Sequence, residues 1–230
     1  AHGTFTLTDV SDAFTVDVVL ADRTDSPNTW DGRSLRKEGD GTLTLSAANT
    51  YSGKTEVAGG TLAAGAQNVF AQSEAVSIEA GARLALNGYN QAANNLSGAG
   101  DIALGAAALT ARYSEEETLS GTISGTGRLV KEGAETLILS GDNTLSGGVE
   151  VAEGDLRATG YGALGTGTAT VRQGATLELA LASDGEVDNL LAGQGTLVKS
   201  GSGVAALTAA GSAMGTGDVA AGTLGLAYRG

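Results

Sequence analysis

The chain of 230 residues lacks cysteine, and it contains a single proline, Pro27, and a single histidine, His2. The absence of cysteine excludes disulfides, cysteine-based metal sites and cysteine nucleophiles. Because His2 lies in a terminal position, a Ser-His-Asp triad has no suitable general base. Aromatic residues are also scarce, with three Phe, five Tyr and one Trp, so the core must consist mainly of Ala, Leu, Val and Ile. Such a core fits a thin, repetitive interior better than a large globular centre.

Basic residues are few as well: 13 Lys and Arg stand against 26 Asp and Glu, which gives a net charge of −13. This balance argues against nucleic acid as a partner, since phosphate binding needs clustered Lys and Arg. It permits binding to basic surfaces such as cationic matrix proteins. No apolar run reaches the roughly 18 residues that a membrane-spanning helix needs, so we expect no direct membrane insertion of this segment. No signal peptide opens the chain, which indicates a mature portion.

The sequence does contain an internal repeat. Residues 37–62 match residues 131–156 almost position for position, at an offset of 94. In both copies Lys-Glu-Gly precedes Thr-Leu-x-Leu-Ser, an Asn-Thr pair and a Ser-Gly pair follow, and Val-Ala then leads to a Gly and a Leu. A partial third copy covers residues 193–208 and resembles the segment that begins at residue 125. A fixed period of this kind is typical of a repeat architecture.

The elements within each copy are short. Leu43-Thr44-Leu45 and Leu84-Ala85-Leu86 alternate between apolar and small or polar residues, and this period of two predicts strands. Gly-rich corners separate the runs and supply the positive φ that sharp turns need. Strands of three to five residues cannot bury a face alone, so they must stack on their neighbours.

We therefore predict an all-β fold, a right-handed parallel β-helix (β-solenoid) of roughly ten coils. In this fold Leu43, Val57 and Leu62 belong to an inward ladder. A β-sandwich or a propeller is the alternative, and the short strands and missing blade signature disfavour it. Residues 35–230 form the repeat-bearing domain. Residues 1–34 are expected to add N-terminal coils or a cap with an irregular loop.

The repeat itself resembles the autotransporter-associated β-strand repeat. Lys37 to Leu62 carries the motif nearly complete, Lys131 to Leu156 carries it with Leu145 in place of Tyr51, and Lys199 to Thr208 is a worn copy. The resemblance implies a passenger of a bacterial type V secretion protein, displayed on the outer membrane or secreted. It also implies adhesion, bacterial aggregation or biofilm formation as the function, with virulence as its context. The missing cysteine agrees with the habit of that family.

Candidate chemistry is sparse, and we predict that the chain is not an enzyme and holds no cofactor and no metal. Gly201-Ser202-Gly203 falls in a turn of the repeat and indicates a corner rather than a nucleophile. Glu115-Glu116-Glu117 could contribute to a Ca²⁺ site, but six or more oxygens are needed, so a solvated loop is favoured. The enzymatic alternative is a glycan-active β-helix with paired carboxylates, which the few aromatic residues and scattered basic residues disfavour.

The binding hypothesis uses the faces of the solenoid, with copies of the chain on neighbouring cells, host matrix proteins or glycans as partners. Candidate contact residues are Asn49, Asn94, Asn95, Asn143 and Trp30. The alternative interpretation is that the four Asn cap turns and stack on adjacent coils, and that Trp30 caps the rod or anchors a loop. A third hypothesis is a non-binding structural stalk or folding-assist segment.

Overall fold

The computed structural model describes residues 3–25 and 31–227, and every regular element in these ranges is a β-strand. All strand pairs between them are parallel. The strands form four sheets, which we call A, B, C and D. The alternation of inward apolar and outward polar residues that the sequence shows is the reason that each segment becomes a strand rather than a helix.

Sheet A has 11 strands: β1 (Gly3–Thr6), β3 (Leu35–Glu38), β5 (Lys54–Val57), β7 (Ala75–Ile78), β10 (Ser97–Gly98), β13 (Glu117–Leu119), β16 (Leu137–Leu139), β18 (Asp155–Ala158), β20 (Thr176–Ala180), β23 (Thr196–Ser200) and β25 (Thr216–Val219). Sheet B has six: β2 (Ala13–Val16), β4 (Thr42–Leu45), β6 (Thr61–Ala64), β8 (Arg83–Ala85), β11 (Asp101–Ala103) and β14 (Ile123–Ser124). Sheet C also has six: β9 (Gln91–Asn94), β12 (Ala108–Arg112), β15 (Arg128–Glu132), β17 (Val149–Val151), β19 (Ala169–Val171) and β22 (Leu191–Ala192). Sheet D has three: β21 (Gly185–Val187), β24 (Val204–Leu207) and β26 (Thr223–Leu226).

The order in which the chain visits these sheets changes along the solenoid. From β7 to β15 it visits sheets A, B and C in turn three times. Before β7 it alternates between sheets A and B, and in the last coils sheet D follows sheet A directly. One coil leads from Leu35 to its partner Thr55, and the next leads from Thr55 to Val76. The predicted parallel β-solenoid of about ten turns is confirmed, and its handedness stays a prediction.

The core is a stack of ladders along the solenoid axis. On sheet B, residues from five successive coils lie in register and are buried: Leu43, Leu62, Leu84, Ile102 and Ile123. Val57 is fully buried on sheet A, so the predicted inward ladder positions are confirmed. Each rung covers the apolar surface of its neighbours and removes it from water, which a single coil could not do.

The repeat copies occupy different faces of the solenoid. Residues 35–64 form β3 to β6 on sheets A and B, whereas residues 129–158 form β15 to β18 on sheets C and A. Since equivalent positions of the two copies lie on different sheets, the offset between the copies is not a whole number of coils. The same motif is therefore displaced by one face. The motif encodes four strands and the corners between them, and this arrangement fits more than one edge of the solenoid.

The N-terminal residues belong to the same stack. β1 pairs with β3 and β2 pairs with β4, both in parallel, so both strands lie in the first coil. The division of the chain at residue 34 stays a prediction. In the ranges that the structure describes, no helix is long and apolar enough to span a lipid bilayer.

Candidate binding surfaces

The outer side of sheet B is a regular surface of small side chains. Because side chains alternate along a strand, each strand presents one or two outward positions, and these positions stack in register from coil to coil. We call this set the sheet B face; it comprises Ala13, Thr15, Thr42, Thr44, Thr61, Arg83, Ala85, Asp101, Ala103 and Ser124, whereas Ala63 at the corresponding position of β6 is buried. Apart from Arg83 and Asp101, these side chains are all Ala, Thr or Ser. A second flat surface can therefore approach the strands closely.

The sheet B face carries one positive and one negative charge. Arg83 of β8 and Asp101 of β11 lie in register on adjacent strands, and both are exposed. Asp101 also accepts a hydrogen bond from the Thr122 amide through Oδ1 (3.0 Å), which orients its carboxylate. Among the described residues, Arg83 takes part in no ion pair. Its guanidinium group is available to an external partner.

A groove follows the corner between sheets C and A. It consists of two adjoining depressions of about 400 and 420 Å³ that share Glu74, Asn95 and Ser114. Asn94, Arg112 and Glu132, the last residues of three successive sheet C strands, lie in register at this corner. We call this feature the corner groove. Two of the Asn residues that the sequence singled out therefore come together here.

The corner groove is predominantly acidic. Its carboxylates come from Glu74, Glu115, Glu117, Glu132 and Glu153. Its basic side chains are Lys54 and Arg112, and Arg112 donates to Glu132 at 2.9 Å. Chemically, such a surface attracts cationic groups. Among the residues that the structure describes, no group of three or more His, Cys, Asp or Glu side chains could hold a metal ion.

Asn94 and Asn95 also connect the coils. Asn95 Oδ1 accepts a hydrogen bond from the Ser114 amide (3.0 Å), and its Nδ2 donates to the Glu74 carbonyl (3.1 Å). Asn94 Nδ2 donates to the Ser73 carbonyl at 2.8 Å. Asn95 adopts a φ of 44°, a left-handed conformation that Asn tolerates better than most residues. These side chains are half-buried and hold the walls of the groove in place.

Asn49 and Asn143 lie inside the solenoid. Asn143 Oδ1 accepts from the Ile123 amide (2.8 Å), and its Nδ2 donates to the Ala163 carbonyl (2.7 Å). Asn49 bridges Leu20 and Val69 in the same manner, with both distances 2.8 Å. Both side chains are buried, so a ligand could reach them only if a coil opened. This geometry favours the alternative interpretation, in which corner Asn residues connect adjacent coils. Trp30 and His2 lie outside the described residues.

Ion pairs connect the coils on the outer surface. Arg36 on sheet A contacts Glu38 at 2.5 Å and also pairs with Glu56, and these bonds raise its pKa further above the ordinary value. Glu79 lies beside them, and a hydrogen bond with the Glu56 carboxyl raises the pKa of Glu79. Ionisation of the Glu56 carboxyl therefore makes ionisation of the Glu79 carboxyl less favourable.

A second such pair lies further along sheet A. Arg157 donates to Glu178 at 2.7 Å, and Ser200 donates to the same carboxylate at 2.5 Å. Burial raises the pKa of Glu178, but these two hydrogen bonds outweigh that effect and hold the pKa below its ordinary value.

Comparison with known proteins identifies the repeat. Residues 35–64 and 129–158 match the Passenger-associated-transport-repeat family, and these are the two segments that form the displaced corners. The chain carries autotransporter passenger repeats. An alignment of 130 residues, which covers 50% of this chain, is 40% identical to the "Adhesin BmaC autotransporter" of Brucella suis biovar 1 (strain 1330). The aligned part spans only 4% of that protein.

These similarities confirm the predicted resemblance to autotransporter passengers of the adhesin type. The surface of the bacterial cell, or the medium into which a passenger is released, is the location that they indicate for this passenger segment. The relative is named an adhesin rather than an enzyme. What the passenger segment itself contacts is a separate question.

Sequence reasoning found two of the groove residues but missed the groove. The corner groove arises because Asn94, Arg112 and Glu132 reach the same edge in successive coils. Their spacing along the chain depends on turn lengths, which the motif does not fix. Sequence reasoning also missed the opposite charges of the sheet B face, although the fixed position of Arg83 one residue before Leu84 on a predicted strand could have indicated an outward position.

Proposed function

We propose that this passenger segment acts in adhesion at the bacterial surface, and that its sheet B face binds a second copy of the chain on a neighbouring cell. The observation that carries the proposal is the position of Arg83 in register beside Asp101 on an otherwise uncharged face of small residues. A surface with one charge of each sign can be complementary to itself. The name of the relative supports the adhesive part of the proposal.

The geometry of the face defines how two copies would meet. A two-fold axis in the plane of the face, parallel to the strands and between β8 and β11, places Arg83 of each copy against Asp101 of the other. Such an isologous contact uses the same patch on both partners. It also makes the two rods antiparallel, which is the orientation of molecules displayed on cells that face each other. Bacterial aggregation, and biofilm formation with it, would follow from this contact.

A single contact of this size is weak. The described part of the face covers six strands spaced about 4.8 Å apart. The area of this face is smaller than a stable protein interface needs. Many copies on each cell would act together, because the second and later contacts form at a high effective concentration. Self-association by weak contacts at the cell surface therefore needs no large interface.

The test is an aggregation assay with cells that display the passenger, compared with cells whose displayed protein lacks this segment. We expect aggregation only with the segment. Ala85→Arg, which adds a long charged side chain to the sheet B face, should abolish it. Thr118→Arg adds the same side chain to an exposed outward position of sheet A and should leave aggregation unchanged.

Other outcomes assign other functions. Equal aggregation with and without the segment would point to a structural stalk. Loss of aggregation in both arginine variants would exclude a specific role of the sheet B face. Release of products from a panel of polysaccharides, abolished by substitution of one of two neighbouring carboxylates, would favour the glycan-active enzyme. Binding of the segment to immobilised matrix proteins or glycans without self-aggregation would assign adhesion to a host partner.

A further inference from the structure

Three of the four lysines of the chain are fully buried. Lys37, Lys131 and Lys199 have no solvent-exposed surface, whereas Lys54 is exposed. Lysine is rarely buried completely unless its ammonium group is paired. Each buried lysine occupies the same position of the repeat, near the end of the strand that precedes the glycine corner. The burial is therefore a property of the repeat and not an accident of one coil.

The ammonium groups of these lysines bond to backbone carbonyls. Lys37 Nζ donates to the carbonyls of Glu38 (2.8 Å), Gly39 (2.7 Å) and Gly59 (3.0 Å). The first two carbonyls belong to the corner of its own coil, and the third belongs to the corner of the next coil. All three protons of the ammonium group are used. The lysine thus joins two successive corners through one charged centre.

Lys131 repeats the arrangement on another edge of the solenoid. Its Nζ donates to the carbonyl of Gly133 (2.5 Å) in its own coil and to that of Glu153 (2.8 Å) in the next. The Tyr113 ring of the preceding coil lies 5.9 Å from the ammonium group, within the range of a cation–π contact. Three consecutive coils therefore meet at Lys131.

Lys199 shows the same bonds in the worn copy. Its Nζ donates to the carbonyls of Ser200 (2.6 Å) and Gly201 (2.9 Å), with longer contacts of 3.4 Å to Leu181 in the preceding coil and Ala221 in the next. The arrangement is present although the surrounding residues differ from those of the other two copies.

Two glycines complete each arrangement. The glycine at the corner that follows each lysine has a positive φ, and so does the glycine at the equivalent corner of the next coil: Gly39 and Gly60, Gly133 and Gly154, Gly201 and Gly222. A Cβ on Gly154 would lie 2.6 Å from Lys131 Nζ, and a Cβ on Gly222 would lie 2.9 Å from Lys199 Nζ. In these two sets the later glycine therefore leaves the space in which the ammonium group bonds the next coil, whereas a Cβ on Gly60 would lie 2.4 Å from the carbonyl oxygens of Gly39 and Gly41. Lysine and glycines form one structural unit.

We propose that each set of one buried lysine and two glycines is a coil latch, which makes local opening of the rod slower at the latched corners than between them. A coil that separates from its neighbour at a latch deprives a buried ammonium group of some of its carbonyl acceptors. A buried charge without hydrogen-bond partners is unfavourable in free energy. Between the latches, coils are joined by ladders, amide bridges and ion pairs without such a centre. Local stability in stacked repeats depends on contacts with the nearest neighbours.

The alternative to a latch is a buried charge that destabilises its corner. A buried ion can cost more in desolvation than its bonds return, and an apolar side chain of similar length then stabilises the protein. Substitution of the lysine distinguishes the two cases, because it removes both the carbonyl contacts and the cost of desolvation. If the contacts dominate, loss of the ammonium group must loosen the coils that it joins. If desolvation dominates, the same substitution must tighten them.

The first experiment uses the unmodified chain and needs no variant. The native protein is treated with an amine-acetylating reagent, and modification at each lysine is followed by peptide mass spectrometry. We expect Lys54 to react at least about a hundred times faster than the three latch lysines, because local opening limits access to buried groups. Reaction of Lys131 at a rate within about threefold of Lys54 would overturn the proposal.

The second experiment measures hydrogen exchange of backbone amides in Lys131→Met, with Lys54→Met as the matched control. We expect exchange to accelerate about tenfold or more in residues 129–134 and 149–154, with no change in residues 75–85. Gly154→Ala should accelerate the same two segments. The control variant should behave as the unmodified chain. Unchanged exchange, slower exchange, or a uniform acceleration over all coils in Lys131→Met would contradict a local latch.

Discussion

Arg83 and Asp101 lie side by side in register on adjacent parallel strands, and both project from the flat outer face of sheet B. The two charges stand in a surface made otherwise of Ala, Thr and Ser. Leu84 and Ile102, which directly follow Arg83 and Asp101 in the two strands, point inward and are buried in the core ladder. The alternation of a strand thus places a recognition element on one side and a stabilising element on the other. The two roles can be tested separately.

The core ladder predicts a large loss of stability from a single truncation. Leu84→Ala removes a fully buried side chain between Leu62 and Ile102. Because rigid strands above and below cannot close the cavity, we expect a loss of about 2–5 kcal/mol in the free energy of unfolding. Urea unfolding followed by circular dichroism measures it. Ala85→Gly on the outer face of the same strand serves as the control and should cost less than about 1 kcal/mol.

The amide bridges predict a clear difference between buried and half-buried Asn residues. Asn143→Ala leaves the Ile123 amide and the Ala163 carbonyl without their partner inside the solenoid. Each unsatisfied buried group costs about 1–3 kcal/mol. Asn95→Ala should cost less, because water reaches its corner. Equal losses for the two variants in urea unfolding would refute the bridging role of Asn143.

The lowered pKa of Glu178 leads us to expect a loss of stability in acid. Since its folded pKa lies below the ordinary value, its contribution is present above the unfolded pKa of about 4.3 and is lost as the pH falls through the folded pKa. We expect Glu178→Gln to have a lower urea midpoint than the unmodified chain at pH 7. The difference should shrink below about pH 4 and disappear in stronger acid. A constant difference at all pH values would exclude a contribution from titration.

For Glu79 we expect the opposite dependence of stability on pH. The Glu56 carboxyl raises the pKa of Glu79, so the ionised form is unfavourable in the folded chain above the folded pKa. This cost disappears as the pH falls below the unfolded value. Glu79→Gln should therefore raise the urea midpoint at pH 7 and lose that advantage toward about pH 4. A lower midpoint at neutral pH would show that the Arg36 contact dominates at this position.

The architecture was predictable because its signals are local. Alternating runs such as Leu43-Thr44-Leu45 determine which side chains point inward, and glycines determine where the chain turns. Once short strands recur with a fixed motif, stacking is the arrangement that buries their apolar faces. The displacement of the second copy by one face was not predicted, because it depends on the sum of turn lengths over several coils.

The buried lysines could not be predicted from residue type. Lys37 has the same parity as Leu35 on β3, so alternation alone indicates an inward side chain. The general preference of lysine for solvent argues against it. The conflict is resolved only by the positions of the Glu38, Gly39 and Gly59 carbonyls. Those positions come from the stacking of two corners, which is a tertiary feature.

Charge reversal on the sheet B face tests self-association most directly. Beads that display the chain, Arg83→Asp, Asp101→Arg or the double variant with both substitutions are compared in one aggregation assay. Arg172→Asp, which reverses an exposed charge directly after a sheet C strand, is the control. Each single reversal places like charges opposite each other across the two-fold contact, whereas the double reversal restores opposite charges. We predict that both single variants fail to aggregate and that the double variant and the control aggregate as the unmodified chain does. Aggregation of the single variants at the unmodified level, or failure of the double variant to recover, would contradict the account.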